Sequence, residues 1–308
     1  MPQTSLDIDP MWPRAGDWIV TVAGDQDPKA DIALLGVPAH LTSLTPTNAH
    51  ETPHAVRQAL MRYSTYSASR DVDVSSLTTV DLGDVADPDG PEGEARVRDA
   101  VRRALGCDLL IAVGGDNSIT YSVTRGLADD LGECGLVTVD AHHDLRDGQN
   151  NGSPVRRLLD AGLPGTSVVQ LGIADFTNSA AYAARARDSG ITIVHRGDLR
   201  SHMLAGAVSA ALDVAGHGGR PVFVDLDVDV CDRAEVPGCP SAAPGGISAD
   251  DLRQLAFLFG RDPRVVGIDI AEVDAGSDSP DERTVRLAAL LVLEAAAGLC
   301  VRKKLLSA

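Results

Sequence analysis

The chain has little aromatic material: two tryptophans, four tyrosines and four phenylalanines in 308 residues. Alanine, valine, leucine and isoleucine must fill its core. Lysine is scarcer still, with Lys29, Lys303 and Lys304 the three present. The formal net charge is −17 at pH 7. So acidic a surface repels nucleic acid and anionic membranes, and neither is expected as a partner. Five cysteines, Cys107, Cys134, Cys231, Cys239 and Cys300, are scattered without any Cys-x-x-Cys. An odd, unpatterned set argues against a disulfide framework and for reduced thiols in a cytoplasm. No basic region followed by an apolar stretch opens the chain, so no signal peptide is expected. The apolar stretch Leu287 to Leu299 is interrupted by Glu294 and is shorter than a bilayer span requires.

What is present is a regular alternation. Strands are expected at Asp31 to Val37, Thr78 to Leu82, Asp108 to Val113, Gly135 to Asp140, Ser167 to Ile173, Ile191 to His195, Val222 to Asp227 and Val265 to Ile270. Helical patterns follow most of them, one of them from His202 to Ala215, and nothing resembles a hairpin. Such alternation predicts one three-layer α/β domain over 1–308, with a mostly parallel sheet of about eight strands covered on both faces. Residues 1–30, with Pro2, Pro10 and Pro13, read as an N-terminal arm. The polar loop from Pro38 to Pro53 is long enough to suggest a function.

In open parallel sheets, ligands bind beyond the carboxyl ends of the strands. That is where the chemistry-bearing residues fall. The fourth strand runs into Asp140-Ala141-His142-His143-Asp144, and the seventh into Asp227-Val228-Asp229-Val230-Cys231-Asp232. Aspartates after a strand often cap helices or close turns. Two such clusters, one with histidine interleaved, instead suggest a divalent metal, since buried carboxylates are costly to gather without a cation. The number of acids suggests two ions sharing carboxylates. The third strand ends in Gly114-Gly115-Asp116-Asn117-Ser118, where glycines admit a close backbone approach; it lacks the Gly-Lys-Ser/Thr of a phosphate loop. Strand alternation turns His143 away from His142 and Asp144. His40, His50 and His54 are expected to be exposed near the first loop, and His195, His202 and His217 to be structural or on the surface. Cys231 is expected to pack, and Cys239 lies near the site where modification is conceivable.

Four motifs in this order resemble the ureohydrolase family of arginases, agmatinases and formimidoylglutamases over most of the chain. They are Gly114 to Ser118, Asp140 to Asp144, Asp227 to Asp232 with Pro244-Gly245-Gly246, and Asp269-Ile270-Ala271-Glu272-Val273. The resemblance implies an arginase-like fold and two Mn²⁺ ions bridged by a hydroxide. Asp140 and Asp227 would bridge the ions, His142 and Asp229 would complete one site, and Asp144 would serve the other. Glu272 would hold the cationic amidine or guanidine of a small-molecule substrate, and Asp144 would carry a proton to the leaving amine. The family usually has histidine where this chain has Asn117, a weaker donor for manganese through its amide oxygen. A homo-oligomer, trimer or hexamer, is also implied.

Two local features favour formimidoylglutamase. Leu145-Arg146 after the metal motif is similar to that subfamily, and Arg146 at the mouth suits a carboxylate. Arg146 could equally pair with a surface acid such as Asp147. Asp175-Phe176-Thr177-Asn178-Ser179 also looks like that subfamily, although Asn178 could be a helix cap. Asn151 and Ser153 offer further polar groups, so Arg146, Asn151, Ser153, Asp175, Asn178 and Glu272 are the expected substrate contacts. The favoured reaction is hydrolysis of N-formimidoyl-L-glutamate to L-glutamate and formamide. An agmatinase or guanidinobutyrase releasing urea remains open, as does a non-catalytic homologue.

Overall fold

The computed structural model describes residues 9–21, 29–199 and 203–307. Its helices are α1 (Ala15–Trp18), α2 (Thr52–Leu60), α3 (Gly90–Arg102), α4 (Ile119–Leu127), α5 (Pro154–Asp160), α6 (Ala180–Asp188), α7 (Leu204–Ala215), α8 (Ala249–Arg261) and α9 (Arg283–Ser307). Its strands are β1 (Ile32–Val37), β2 (Tyr66–Ser67), β3 (Val72–Asp73), β4 (Thr79–Asp84), β5 (Leu109–Gly114), β6 (Gly135–Val139), β7 (Val168–Ile173), β8 (Thr192–His195), β9 (Val222–Asp227) and β10 (Val265–Ala271). Eight strands form one sheet in the order β4-β1-β5-β10-β9-β6-β7-β8. Every pairing in it is parallel. All eight expected strands are there. The helix expected from His202 starts, among the described residues, at Leu204, and His202 lies outside them.

The strands read so clearly because both their faces are covered. Every residue of β1, β5, β6, β7 and β9 is buried, and strands buried on both faces are continuous apolar runs. Alternation sends Leu34, Ile111, Val137, Val224 and Ile268 to one face, against Leu60 of α2, Val208 of α7, Phe259 of α8 and Leu291 of α9. Leu35, Leu110, Leu136 and Phe223 go to the other, against Val97 of α3, Val123 of α4 and Leu158 of α5. Two aliphatic cores result, one on each side of the sheet.

Three expectations need correction. A hairpin does exist: β2 and β3 pair antiparallel, Tyr66 with Asp73 and Ser67 with Val72. Strands of two residues are too short for alternation to register. The N-terminal arm is not a loose loop in its described part. Ala15 is fully buried, the Trp18 Nε1–H donates to the Leu77 carbonyl at 2.9 Å, and Thr21 bridges to Asp81. The arm thereby covers the open edge of β4. Finally, Arg283–Leu306 is long and apolar enough to cross a membrane, although 78% of its most apolar window is buried in this fold. It packs on α8 and α2; a β-carbon on Gly260 of α8 would sit 2.2 Å from the Ala295 carbonyl oxygen of α9. α9 is a core helix.

Gly115 matters for the site. A β-carbon there would lie 1.9 Å from the Ala39 carbonyl oxygen, so the turns after β1 and β5 can touch. Asp116 N–H then donates to that same oxygen at 2.9 Å. Phe259, fully buried between α8 and the sheet, tests the packing. Phe259→Ala is expected to cost about 3–5 kcal/mol through lost burial and the remaining cavity. A denaturant titration checks this, and an unchanged midpoint would contradict the packing described.

Candidate active site

Four adjacent central strands, β5, β10, β9 and β6, deliver the polar residues. Each strand ends at the same rim, and the turns beyond carry Asn117, Glu272, Asp227 with Asp229, and Asp140 to Asp144. All of these but Asp140 and Ala141 line a cavity of about 860 Å³ with its open mouth included.

After β6 the chain turns back on itself. Asp140 Oδ1 accepts from the His142 N–H at 2.6 Å, while its Oδ2 is buried without a partner. The turn has room because the next strand carries Gly172, at φ +108°, where a β-carbon would meet Val230 Cγ2 at 2.5 Å. After β9, Asp227 Oδ1 accepts from the Asp229 N–H at 2.8 Å. Asp229 Oδ1 accepts from the Ala141 N–H at 3.0 Å, and its Oδ2 lies 2.7 Å from His142 Nδ1. Ligand atoms of Asp140, His142 and Asp229 all fall within 4.8 Å of one another. Oxygen-rich donors with one imidazole, one buried oxygen still unpartnered, fit a divalent cation of the manganese kind.

Asp144 and Glu272 stand opposite. Both have left-handed backbones, φ +52° and +62°, which costs a non-glycine residue energy and clusters at functional sites. Asp144 Oδ2 accepts from the Asn117 Nδ2–H at 2.5 Å. Glu272 Oε1 accepts from the Asn117 backbone N–H and from Asn151 Nδ2, each at 2.8 Å. Its Oε2 has one longer contact, 3.4 Å from Ser241 Oγ, and faces the cavity.

The electrostatics follow from crowding. Burial, then Asp229, pushes Asp140 up to about 7. Burial and then neighbouring acids hold Asp144 and Asp227 well above the ordinary carboxylate range. Burial, then Asp116, raises Glu272 to about 7. Burial would raise Asp229, but His142 outweighs it and holds Asp229 at about 2. Burial would lower His142, but Asp229 and Asp140 outweigh it and push it up to about 12.

The other expected residues divide. Arg146 is exposed and lines the cavity, and Asp147 pairs with Arg185 at 2.8 Å rather than with Arg146. Asn151 lines the cavity and joins Glu272 to the first loop, its Oδ1 accepting from the Leu44 N–H at 3.0 Å. Asn178 also lines it but braces the metal loop, accepting from the His143 N–H and donating to the Ala141 carbonyl, both at 2.9 Å. Ser153 is corrected: it is fully buried, and its hydroxyl closes the turn by donating to the Asn150 carbonyl at 2.7 Å. Asp175 is corrected too. It is exposed and absent from the lining: after the left-handed Phe176, φ +64°, it is Thr177, Asn178 and Ser179 that line the cavity. His143 also lines the cavity, with its Nδ1 2.6 Å from Gln170 Oε1. His40 and His50 stack with centroids 4.4 Å apart, outside the lining. Cys231 is packed as expected, while Cys239 is fully buried and burial raises its thiol far above the usual range; it is not poised for modification. Sequence reasoning missed Ser241 and Tyr182 in the wall, which no local pattern announces.

An acid with a raised folded pKa stabilises the fold fully below its unfolded value, and loses that contribution as pH rises through the folded one. For Asp140 and Glu272 the window opens at 3.8 and 4.5 and closes at about 7. His142, raised from 6.5 to about 12, loses stability in the same direction above 6.5. Metal-free protein is therefore expected to melt several degrees lower at about pH 7.5 than at about pH 5.5, with manganese abolishing the difference. Thermal unfolding by circular dichroism measures this; a flat profile without metal would contradict the crowding.

A profile of the arginase family matches residues 30–298. Formimidoylglutamase of Bacillus subtilis (strain 168) is 36% identical over 304 residues, 93% of this chain and 92% of that protein. The crystal structure of formimidoylglutamase from that organism superposes with a TM-score of 0.89 at 33% identity, covering 98% of this chain and 96% of that one. Formiminoglutamase of Trypanosoma cruzi, solved with Mn²⁺, gives 0.85 at 25% identity, covering 94% and 99%. Mitochondrial agmatinase of Gallus gallus is 30% identical over 255 residues, 79% of this chain and 74% of that protein. Matched from the first strand of the sheet into its last helix, this chain belongs to the arginase family.

Proposed function

We propose that the protein hydrolyses the amidine C–N bond of N-formimidoyl-L-glutamate, giving L-glutamate and formamide. The observation that carries the choice of substrate is Arg146. Among the described residues it is the one arginine or lysine lining the cavity, whose floor is otherwise acidic. An amidine that also bears carboxylates needs both kinds of surface, an anion for its cationic end and a guanidinium for the other. The similarity to formimidoylglutamases over most of the chain supports the same reading.

Asp140 and Asp227 would be shared between two manganese ions, with His142 and Asp229 completing one site and Asp144 and Asn117 the other. When bound, manganese lowers the pKa of water enough to supply a nucleophile at neutral pH. The protein's own residues do the rest. Glu272 Oε2 pairs with the amidine nitrogens and orients the carbon, while Asn117 and Asn151 fix its Oε1. As water oxygen bonds to that carbon, Glu272 steadies the charge left on the nitrogens. Asp144 takes the proton released by the attacking water and gives it to the glutamate nitrogen as the C–N bond breaks. Glutamate leaves as the amine and formamide remains.

The reading includes a cytoplasmic homo-oligomer, trimer or hexamer. The five free cysteines are in keeping with a reducing compartment.

Manganese-loaded protein is expected to release formamide from formimidoylglutamate, and no urea from agmatine, guanidinobutyrate or arginine. Arg146→Ala is expected to raise KM about 10- to 100-fold with kcat little changed, the value of a hydrogen bond between charged groups. Urea from agmatine, with Arg146→Ala silent, would move the chain to the guanidine hydrolases.

A further inference from the structure

A row of buried polar residues crosses the sheet directly beneath the ligands. Register pairs Asp269 of β10 with Asp225 of β9, Asp225 with Thr138 of β6, and Thr138 with Gln170 of β7. All four are 0% exposed. Alternation puts Asp225 on the face of Asp227 and Thr138 on that of Asp140, so the row lies one step below the shared ligands. At one end Gln170 holds His143. At the other, Asp269 Oδ2 lies 2.9 Å from Thr120 Oγ1. That hydroxyl in turn lies 2.9 Å from Asn117 Oδ1. Asp225 and Asp269 stand side by side, and both Asp225 oxygens and Asp269 Oδ1 are buried without a hydrogen-bond partner. A core needs no such pair for stability, since apolar residues of similar volume serve as well or better.

Thr120 has one hydroxyl proton and two neighbours that could accept it. In the arrangement described, Thr120 Oγ1 is within donating reach of both Asn117 Oδ1 and Asp269 Oδ2, and its one proton can serve only one of them. The Asn117 NH₂ then faces Asp144, and an amide NH₂ cannot ligate a cation. The alternative has the same shape. Thr120 donates to the Asp269 carboxylate and accepts from Asn117 Nδ2, and Asn117 Oδ1 turns to the centre. The two ends of an amide differ in hydrogen bonding and hardly at all in size, so the flip requires no repacking.

We propose that Thr120 and Asp269 are positioning residues that set which end of the Asn117 amide faces the metal centre. The need is particular to this chain. A histidine at this place could shift its proton to the far ring nitrogen and present a bare one to the metal, whereas an asparagine ligates only if its nitrogen is held elsewhere. The inference rests on the metal reading of the site above.

The test is manganese binding by equilibrium dialysis with elemental analysis, and the electron paramagnetic resonance of the bound manganese. Wild type is expected to bind two ions per chain with the signal of a coupled pair. Thr120→Val, nearly isosteric, is expected to weaken one ion at least about tenfold, the usual loss when a ligand's hydrogen-bond partner is removed, and to replace the coupled signal with that of a single ion. Thr120→Ser is expected to restore both. In an Asn117→His background, Thr120→Val is expected to have no effect on affinity. Thr120→Ala replaces Thr120→Val if the latter does not fold. Two ions bound equally well by the Thr120 variants, or the same loss in the Asn117→His background, would overturn the proposal and reduce Thr120 to packing. No manganese on wild type would instead overturn the metal reading itself.

Discussion

Acid groups gathered where water cannot reach them are the constraint on which the rest depends. Asp116, Asp140, Asp144, Asp227, Asp229 and Glu272 all sit at the ends of four adjacent strands with at most 6% of their surface exposed. Burying one unpaired carboxylate is costly, and burying several side by side is more so. The protein answers within the limits of its own groups. His142 offsets Asp229, backbone N–H groups are aimed at Asp140, Asp227, Asp229 and Glu272, and protons stay on acids that would otherwise ionise. Each device leaves a residue of repulsion, and a divalent cation removes it. The aliphatic cores on the two faces of the sheet supply the stability that this arrangement spends.

That cost also explains the geometry of the turns. Asp144 and Glu272 hold left-handed backbones, and Gly115 and Gly172 clear space for the neighbouring chain. A parallel sheet makes such concentration possible, because all eight strands end at the same rim. The order β5-β10-β9-β6 then places four turns from distant parts of the chain side by side. Asn151 reaches Glu272 across 121 positions, and Asn48 N–H donates to Asp274 across 226. The long first loop is thus tied to the last strand's turn, and it forms part of the cavity wall through Leu44 and Thr45.

What was legible in the sequence follows the same division. Strands buried on both faces announce themselves as apolar runs, and acids at their ends announce a site. The strands and ligand clusters could therefore be read from the sequence, and the helices between them to within several residues at their ends. The hairpin β2–β3 could not, for want of length, nor the docking of α1, which rests on the burial of Ala15 and on hydrogen bonds to distant residues. Within the site, strand alternation correctly sets Asp225 and Asp227 on one face of β9. Side chains on irregular turns do not follow it. Ser153 and Asp175 were expected at the substrate and are turned elsewhere by loop hydrogen bonds and by a left-handed Phe176. The aspartates in the middle of β9 and β10 were visible as acids inside apolar runs, and only register shows that they face one another.

Asn117 joins these threads. Replacing an imidazole with a carboxamide at a metal centre exchanges a donor with one sense for a donor with two. The choice between them passes to whatever lies behind the amide, which here is the Thr120 hydroxyl, with one proton, and the Asp269 carboxyl. In the proposed reaction Asp144 delivers a proton to the leaving amine, and a weakly held second ion would leave it more often protonated. The amine of glutamate is a better leaving group once protonated, so a proton kept close at Asp144 serves this reaction. The asparagine need not be read as damage to the centre. It places control of the metal and of the proton in one hydrogen-bonded chain, from Asp269 through Thr120 and Asn117 to Asp144.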